Sequence, residues 1–249
     1  MSAYGAMLLW VRCVGDVCRH DLYRSADGVS FARIASLQPD PMPMQITDVF
    51  SVPGVGLMAF WFAGHYRDVP ENSWGTLTSA DNGTTWKQTV VESGLMKGDW
   101  PTEPAGVYLG NGRILAIARV ENVAKTAGPG QFQLESSDGG ASWTKRRTNI
   151  GDVRESTPSL LWDAGSGLLS NYYFERGKGV LKRRVASAPA VWGNPLAWPS
   201  PEIVSAGSTH DYHAGNVNAT ALGGTHFCTF YSGGETQTDV VIAPIPAPL

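Results

Sequence analysis

The sequence predicts an all-β ring of five blades, each a four-stranded antiparallel sheet, that takes up residues 1–249 as a single domain. Three observations carry this prediction. The first is a frame, Ser-x-Asp-x-Gly-x-Thr/Ser-Trp, which occurs as SADNGTTW at Ser79–Trp86 and as SSDGGASW at Ser136–Trp143, with a shorter copy, SADGVSF, at Ser25–Phe31. The second is spacing: Asp27, Asp81 and Asp138 stand 54 and then 57 positions apart, a period that fits one four-stranded propeller blade. The third is composition: 29 glycines, 16 prolines and 9 tryptophans against a charged fraction of 16% describe many tight turns between short aromatic strands.

Each unit opens on a hairpin of two strands around a glycine-containing turn, as in VFSVPGVGLMAFWFAG, GVYLGNGRILAIARV, SLLWDAGSGLLSNYYF and VNATALGGTHFCTFYS. A third strand leads into the frame and a fourth leaves it. This places a first unit from near Met7, full units near 45–92, 103–150 and 156–205, and a last unit from about Val217. In the fourth unit RRVASAPAVW stands where the frame belongs, without its Asp and Gly. The first unit lacks an inner strand and the last an outer one, so the ring is expected to close by pairing of the chain's two ends.

The frame reads as a structural staple. Its Ser and Asp side chains hydrogen-bond nearby backbone amides, its Gly supplies the turn dihedral, and its aromatic residue packs the hairpin against its own sheet. The set is Ser25, Asp27, Gly28 and Phe31; Ser79, Asp81, Gly83 and Trp86; and Ser136, Asp138, Gly140 and Trp143. Equivalent aspartates on successive blades lie far apart around a ring, which argues against a shared catalytic role.

Other features narrow the class. The formal net charge is −3, and the one basic cluster, Lys182–Arg184, is too small for a nucleic-acid footprint. No apolar run reaches the roughly 18 residues of a membrane span, and MSAYGAMLLWVRCVG shows neither a charged leader nor a cleavage pattern; the chain reads as soluble, with no membrane insertion, and virion-associated and extracellular locations both stay open. The sequons at Asn82 and Asn218 read as turn and strand residues. In CVGDVC, a two-residue turn at Gly15–Asp16 sets Cys13 opposite Cys18, as a disulfide or as two reduced thiols, while Cys228 is expected to be buried. No residue set suggests a metal or another cofactor.

The frames resemble the Asp-box (BNR repeat) of the sialidase (neuraminidase) superfamily of β-propellers. The blade rhythm covers roughly residues 25–205, with five blades where that family usually has six. The resemblance implies that the boxes lie between third and fourth strands, on the face opposite the ligand site. The inner-hairpin turns then share the box face, and the longer connections at 63–74, 94–104, 120–130, 151–158 and 208–216 build the other.

A propeller aims the beginnings of its inner strands at the axis, so Asp48, Glu103, Glu155 and Asp211, one per blade, are expected to ring a common pocket. Asp48, Glu103 and Glu155 are the candidate catalytic carboxylates. Tyr66, Trp74, Trp100 and Tyr212 offer flat faces for sugar rings, and Arg67, Arg119, Arg154, Arg176, His210 and His213 offer polar contacts, although Asp68, Glu121 and Glu175 are alternative partners for the arginines.

For an exo-sialidase the resemblance implies three carboxylate-binding arginines, a Tyr–Glu nucleophile and an Asp acid/base, together with an N-terminal Arg-Ile-Pro. This chain has ARIASL at Ala32–Leu37, after its first box and without the proline. The main expectation is therefore a sialidase-like propeller that binds glycan or polysaccharide on the face opposite the boxes, as a phage-tail or virion receptor-recognition module does. The alternative is a glycoside hydrolase, sialidase-type or five-bladed, that uses the inner-strand carboxylates. A protein-interaction scaffold is the third reading.

Overall fold

The computed structural model describes residues 6–15, 17–65, 71–121, 130–153, 155–208, 214–234 and 236–248. They form five antiparallel sheets in chain order. Blade 1 holds β1 (Met7–Cys13), β2 (Arg19–Ser25) and β3 (Ala32–Leu37); blade 2 holds β4 (Gln45–Val52), β5 (Gly56–Ala63), β6 (Ser73–Ser79) and β7 (Lys87–Ser93). Blade 3 holds β8 (Pro101–Gly110), β9 (Arg113–Val120), β10 (Gln131–Ser136) and β11 (Thr144–Arg147); blade 4 holds β12 (Ser159–Asp163), β13 (Leu168–Glu175), β14 (Val180–Ser187) and β15 (Glu202–Ser205). Blade 5 holds β16 (Ala214–Leu222), β17 (Thr225–Gly233) and β18 (Thr238–Pro246). The innermost strands β4, β8, β12 and β16 are successive neighbours around the axis.

In blades 2 to 4 the second strand is buried along most of its length, and its alternate residues serve different neighbours. In β5, Met58, Phe60 and Phe62 pack with Ile114, Ala116 and Ala118 of blade 3, while Ala59, Trp61 and Ala63 face the opposite way, toward Trp10 of blade 1. β9 repeats the pattern: Leu115 and Ile117 join Leu169 and Tyr173 of blade 4. β13 does so again, with Tyr172 and Phe174 against Val217 and Phe230 of blade 5. One apolar layer thus fills each junction from blade 1 to blade 5.

The staples' hydrogen bonds form as the sequence predicts, and Trp86 and Trp143 pack against apolar core, but Phe31 of the shorter copy is exposed and does not repeat that packing. Ser79 Oγ donates to Asp81 Oδ1 at 2.8 Å and accepts the Gly83 amide at 2.8 Å, while Asp81 also accepts the Thr85 amide and hydroxyl at 2.8 and 2.6 Å. The Trp86 indole closes the turn by donating to the Gly83 carbonyl at 2.9 Å. Ser136, Asp138, Gly140 and Trp143 repeat this arrangement, and Ser25, Asp27 and Gly28 form its shorter version. Gly83 has φ 90°, where a side chain is strained, and an added Cβ would press on Leu22 of blade 1. Box turns and inner-hairpin turns share one face, the Gly139 amide donating to the Gly112 carbonyl at 2.8 Å. In blade 4 a single helical turn, α1 (Ala188–Val191), replaces the box, and Val191 is buried.

Three expectations are corrected. Among the described residues no ladder joins blade 1 to blade 5; each is a separate three-stranded sheet, so the expected pairing of chain ends is not seen. Cys13 pairs in register with Arg19, not Cys18; both thiols are free, the hairpin connection is longer than two residues, and the Cys13 thiol faces Asp21 at 3.5 Å. Trp74 and Trp100 offer no face to a sugar: both are fully buried, their indoles donating to Glu92 at 2.7 Å and to the Ser73 carbonyl at 3.0 Å. The basic cluster Lys182, Arg183 and Arg184 is buried and paired with Asp152, Glu175 and Glu202.

Candidate functional site

The axial end opposite the boxes is built from one recurring local distortion. Asp48, Glu103, Glu155 and Asn216, one on or before each inner strand of blades 2 to 5, adopt positive φ of 48°, 52°, 42° and 52°. For non-glycine residues this left-handed conformation is strained, and four equivalent occurrences mark a site that the fold is holding in place. In blades 2, 3 and 5 the residue sits in a β-bulge, where the ladder breaks between Thr47 and Val49, Thr102 and Ala105, and Gly215 and Asn218. A bulge re-aims a side chain that regular pleating would send into a blade junction.

These positions are tied to neighbouring blades. The Gly106 amide donates to Asp48 Oδ2 at 2.8 Å, and the Thr47 hydroxyl to the Pro104 carbonyl at 2.7 Å. Thr157 donates to Glu103 Oε2 at 2.8 Å and lies 3.0 Å from Asn216 Oδ1. Arg176 completes the circuit through the backbone carbonyls of Glu155 and Ala214, the Tyr231 hydroxyl and Asn216. Gly215 permits this: at φ 146°, a Cβ there would come within 2.6 Å of the Arg176 guanidinium.

The carboxylates differ in environment. Glu103 is buried and held by Arg119 at 3.3 Å, and the same guanidinium grips the fully buried Glu121 at 2.7 Å. Asp48 keeps accessible surface, yet burial among the surrounding walls pushes its carboxyl up to about 6, against the opposing pull of the Gly106 amide. Because the group is reachable from solvent, the mass of nearby protein, not sealing, is the cause; the upward direction is what the chemistry uses. Glu155 is half-buried, on a connection anchored by Asp152, which accepts from Lys182 at 2.7 Å, Arg184 at 2.7 Å and Tyr173 at 3.0 Å.

The structure therefore sets Asp48, Glu103 and Glu155 at corresponding positions of consecutive blades. Among the described residues, Arg119 and Arg176 are engaged with these positions. Tyr66, Arg67, Arg154, His210, Asp211, Tyr212 and His213 lie outside the described residues. The fourth member of the set is Asn216, which sequence reading missed; the signal available was its place shortly before the ALGG turn, matching Asp48 before VPGVG. Among the described residues no group of three or more His, Cys, Asp or Glu side chains is arranged to hold a metal ion.

No protein-family model and no curated protein matches the chain. Solved structures do. The chain is similar to an α-L-arabinanase of Penicillium chrysogenum complexed with arabinobiose, at 17% identity and TM-score 0.65, over 96% of this chain and 78% of that one. It is similar to a mutant α-L-arabinofuranosidase of Fusarium graminearum in complex with an iminosugar inhibitor, at 14% identity and TM-score 0.67, over 98% and 79%. The GH43_1 enzyme of Xanthomonas citri complexed with xylotriose matches at 13% identity and TM-score 0.60, over 96% and 84%. These likenesses establish a five-bladed propeller whose structural neighbours include glycoside hydrolases.

Proposed function

We propose that this chain is a glycoside hydrolase acting on neutral, pentose-containing glycans in its axial well, with Asp48, Glu103 and Glu155 as the reacting carboxylates. One observation carries the reading: three carboxylates occupy the same strained position on three consecutive blades, where a purely structural role would not require the same residue chemistry. Glycoside cleavage uses one carboxyl group to protonate the leaving oxygen and a second to attack the sugar or activate water. Asp48, pushed up to about 6 by its surroundings, suits the proton donor. Glu103, oriented by Arg119 and Thr157, suits the second carboxylate, with Glu155 bordering the sugar.

The hydrolase alternative is thereby preferred to a sialidase-like binder. The Asp-box-type turns remain a bond to sialidase-like propellers, but the described arginines of the well are committed to Glu103, Glu121 and backbone carbonyls. Such a well disfavours an anionic sugar. Arabinobiose and xylotriose, bound by structural neighbours, give the neutral pentose chemistry its support.

The test incubates the purified chain with arabino- and xylo-oligosaccharides and with a sialylated oligosaccharide, following reducing-end and sialic-acid release. Release from a pentose oligomer that disappears in Glu103→Gln and Asp48→Asn supports the proposal. Sialic-acid release, or glycan binding without turnover in the unaltered chain, overturns it.

A further inference from the structure

Asn216 stands where the corresponding positions of blades 2, 3 and 4 carry a carboxyl group. Its backbone, at φ 52°, is one that asparagine adopts at little cost and glycine at none. The residue before it is already a glycine, Gly215, and the side chain at 216 is exposed. Backbone geometry alone therefore does not account for an amide at this position.

The surrounding network orients that amide. Arg176 Nη2 lies 3.4 Å from the side-chain oxygen of Asn216, and a guanidinium nitrogen can only donate, so Oδ1 is the atom turned toward it. Arg176 is itself fixed by the Glu155 and Ala214 carbonyls, and the Thr157 hydroxyl lies 3.0 Å from the same Oδ1. Nδ2 is then the end of the side chain turned away from these partners, with two N–H groups to offer. The Thr157 hydroxyl also meets Glu103 at 2.8 Å, so a single side chain touches both Asn216 and a proposed reacting carboxylate. Asn216 and Glu103 border the same compact space.

We propose that Asn216 is a specificity-determining residue of the axial well, its Nδ2 donating to one hydroxyl oxygen of the bound pentose unit on the side next to Glu103. A sugar hydroxyl gives one proton and accepts through its oxygen, and an ionised carboxylate answers only the first of these. Asn216 answers the second without adding charge. A carboxylate in its place would leave that oxygen without a donor and set another negative charge beside Glu103. The inference rests on the hydrolase reading of the well and adds to it the residue that tells a pentose from its deoxy analogue.

The experiment measures kcat/KM of the full chain on arabinobiose and xylotriose, and on analogues of each that lack one hydroxyl of the terminal non-reducing unit. In the unaltered chain at least one such deoxygenation is expected to lower kcat/KM about tenfold. Asn216→Gly, which keeps the left-handed backbone, should lower kcat/KM on the parent oligomer about tenfold and leave that same deoxygenation with less than about a twofold effect. Asn216→Asp, which keeps an oxygen for Arg176 and has no N–H, should lose the discrimination as well. Full recovery of activity and discrimination in Asn216→Asp would make the contact with Arg176 the whole role of the residue, and overturns the inference. A thermal melt identifies a variant that fails to fold, and the other then carries the test. Cleavage in which every deoxygenation costs the unaltered chain and both variants alike overturns the inference and leaves the proposed function standing. No cleavage of either oligomer by the unaltered chain removes the proposed function, and this inference with it.

Discussion

Thr157 donates its hydroxyl to Glu103 at 2.8 Å across 54 residues of chain. The bond ties the entrance of blade 4 to the inner strand of blade 3, so the side chain that orients a carboxylate also fixes the spacing between two blades. Glu103 is buried and charge-paired, yet Gln keeps its size and its acceptor oxygen. Glu103→Gln is therefore expected to lower turnover on a pentose oligomer by roughly 100- to 10,000-fold, with little change in KM or melting temperature. Steady-state kinetics beside a thermal melt check this, and an equal loss in both would make Glu103 a structural residue only.

Asp48 sets a pH dependence of definite sign. Its folded carboxyl titrates at about 6, above its ordinary value of 3.8, so the fold prefers the protonated form; its stabilising contribution is full below about 4 and lost as pH rises through about 6. Asp48→Asn, which retains an acceptor for the Gly106 amide, should then raise the melting temperature at pH 8 and give no such gain at pH 4. As proton donor, Asp48 should also make activity fall through pH about 6. Melting curves and a pH–rate profile measure the two effects separately.

The box aspartates titrate in the opposite sense. Asp81 and Asp138 are lowered to about 2, chiefly by the Thr85 and Ser142 hydroxyls, so their contribution is present above about 4 and lost as pH falls through about 2. Asp81→Ala and Asp138→Ala should each lower the melting temperature by a few degrees at pH 7, much less at pH 2, and leave oligosaccharide turnover at the growth temperature intact. Loss of turnover in a folded variant would give the box a functional role.

Trp100 packs edge-on to Phe62 with ring centroids 5.9 Å apart, in the junction between blades 2 and 3. Trp100→Ala is expected to cost about 3–5 kcal/mol of stability through the cavity that it leaves. Denaturant unfolding would show this as a lower midpoint, while sugar affinity in the folded fraction stays the same.

The repeat made the blade rhythm legible because each box is a local device: its Ser, Asp, Gly and Trp bond one another within eight residues, so sequence spacing reports geometry directly. Asp48, Glu103 and Glu155 were legible for the same reason, as carboxylates near the start of apolar hairpins. Asn216 was not. Glu103 follows Asp48 by 55 positions and Glu155 follows Glu103 by 52, which points to Asp211, but the next connection is longer and the equivalent position falls 61 residues on, at an uncharged side chain. Trp74 and Trp100 were misplaced because loop-like neighbours conceal how close each lies to a strand start: β6 begins at Ser73 and β8 at Pro101.

The four apolar layers join blade 1 to 2, 2 to 3, 3 to 4 and 4 to 5, and among the described residues none bridges 5 back to 1. Met7, Leu9 and Val11 on one end blade and Val240 and Ile242 on the other remain exposed. Among the described residues the apolar layers thus run as a line bent into an arc: blades 2, 3 and 4 are each braced by two of these layers, and the two end blades by one apiece. Amide exchange should erode it from both tips toward blade 3, so the Glu103 strand is the last part of the well to lose its shape.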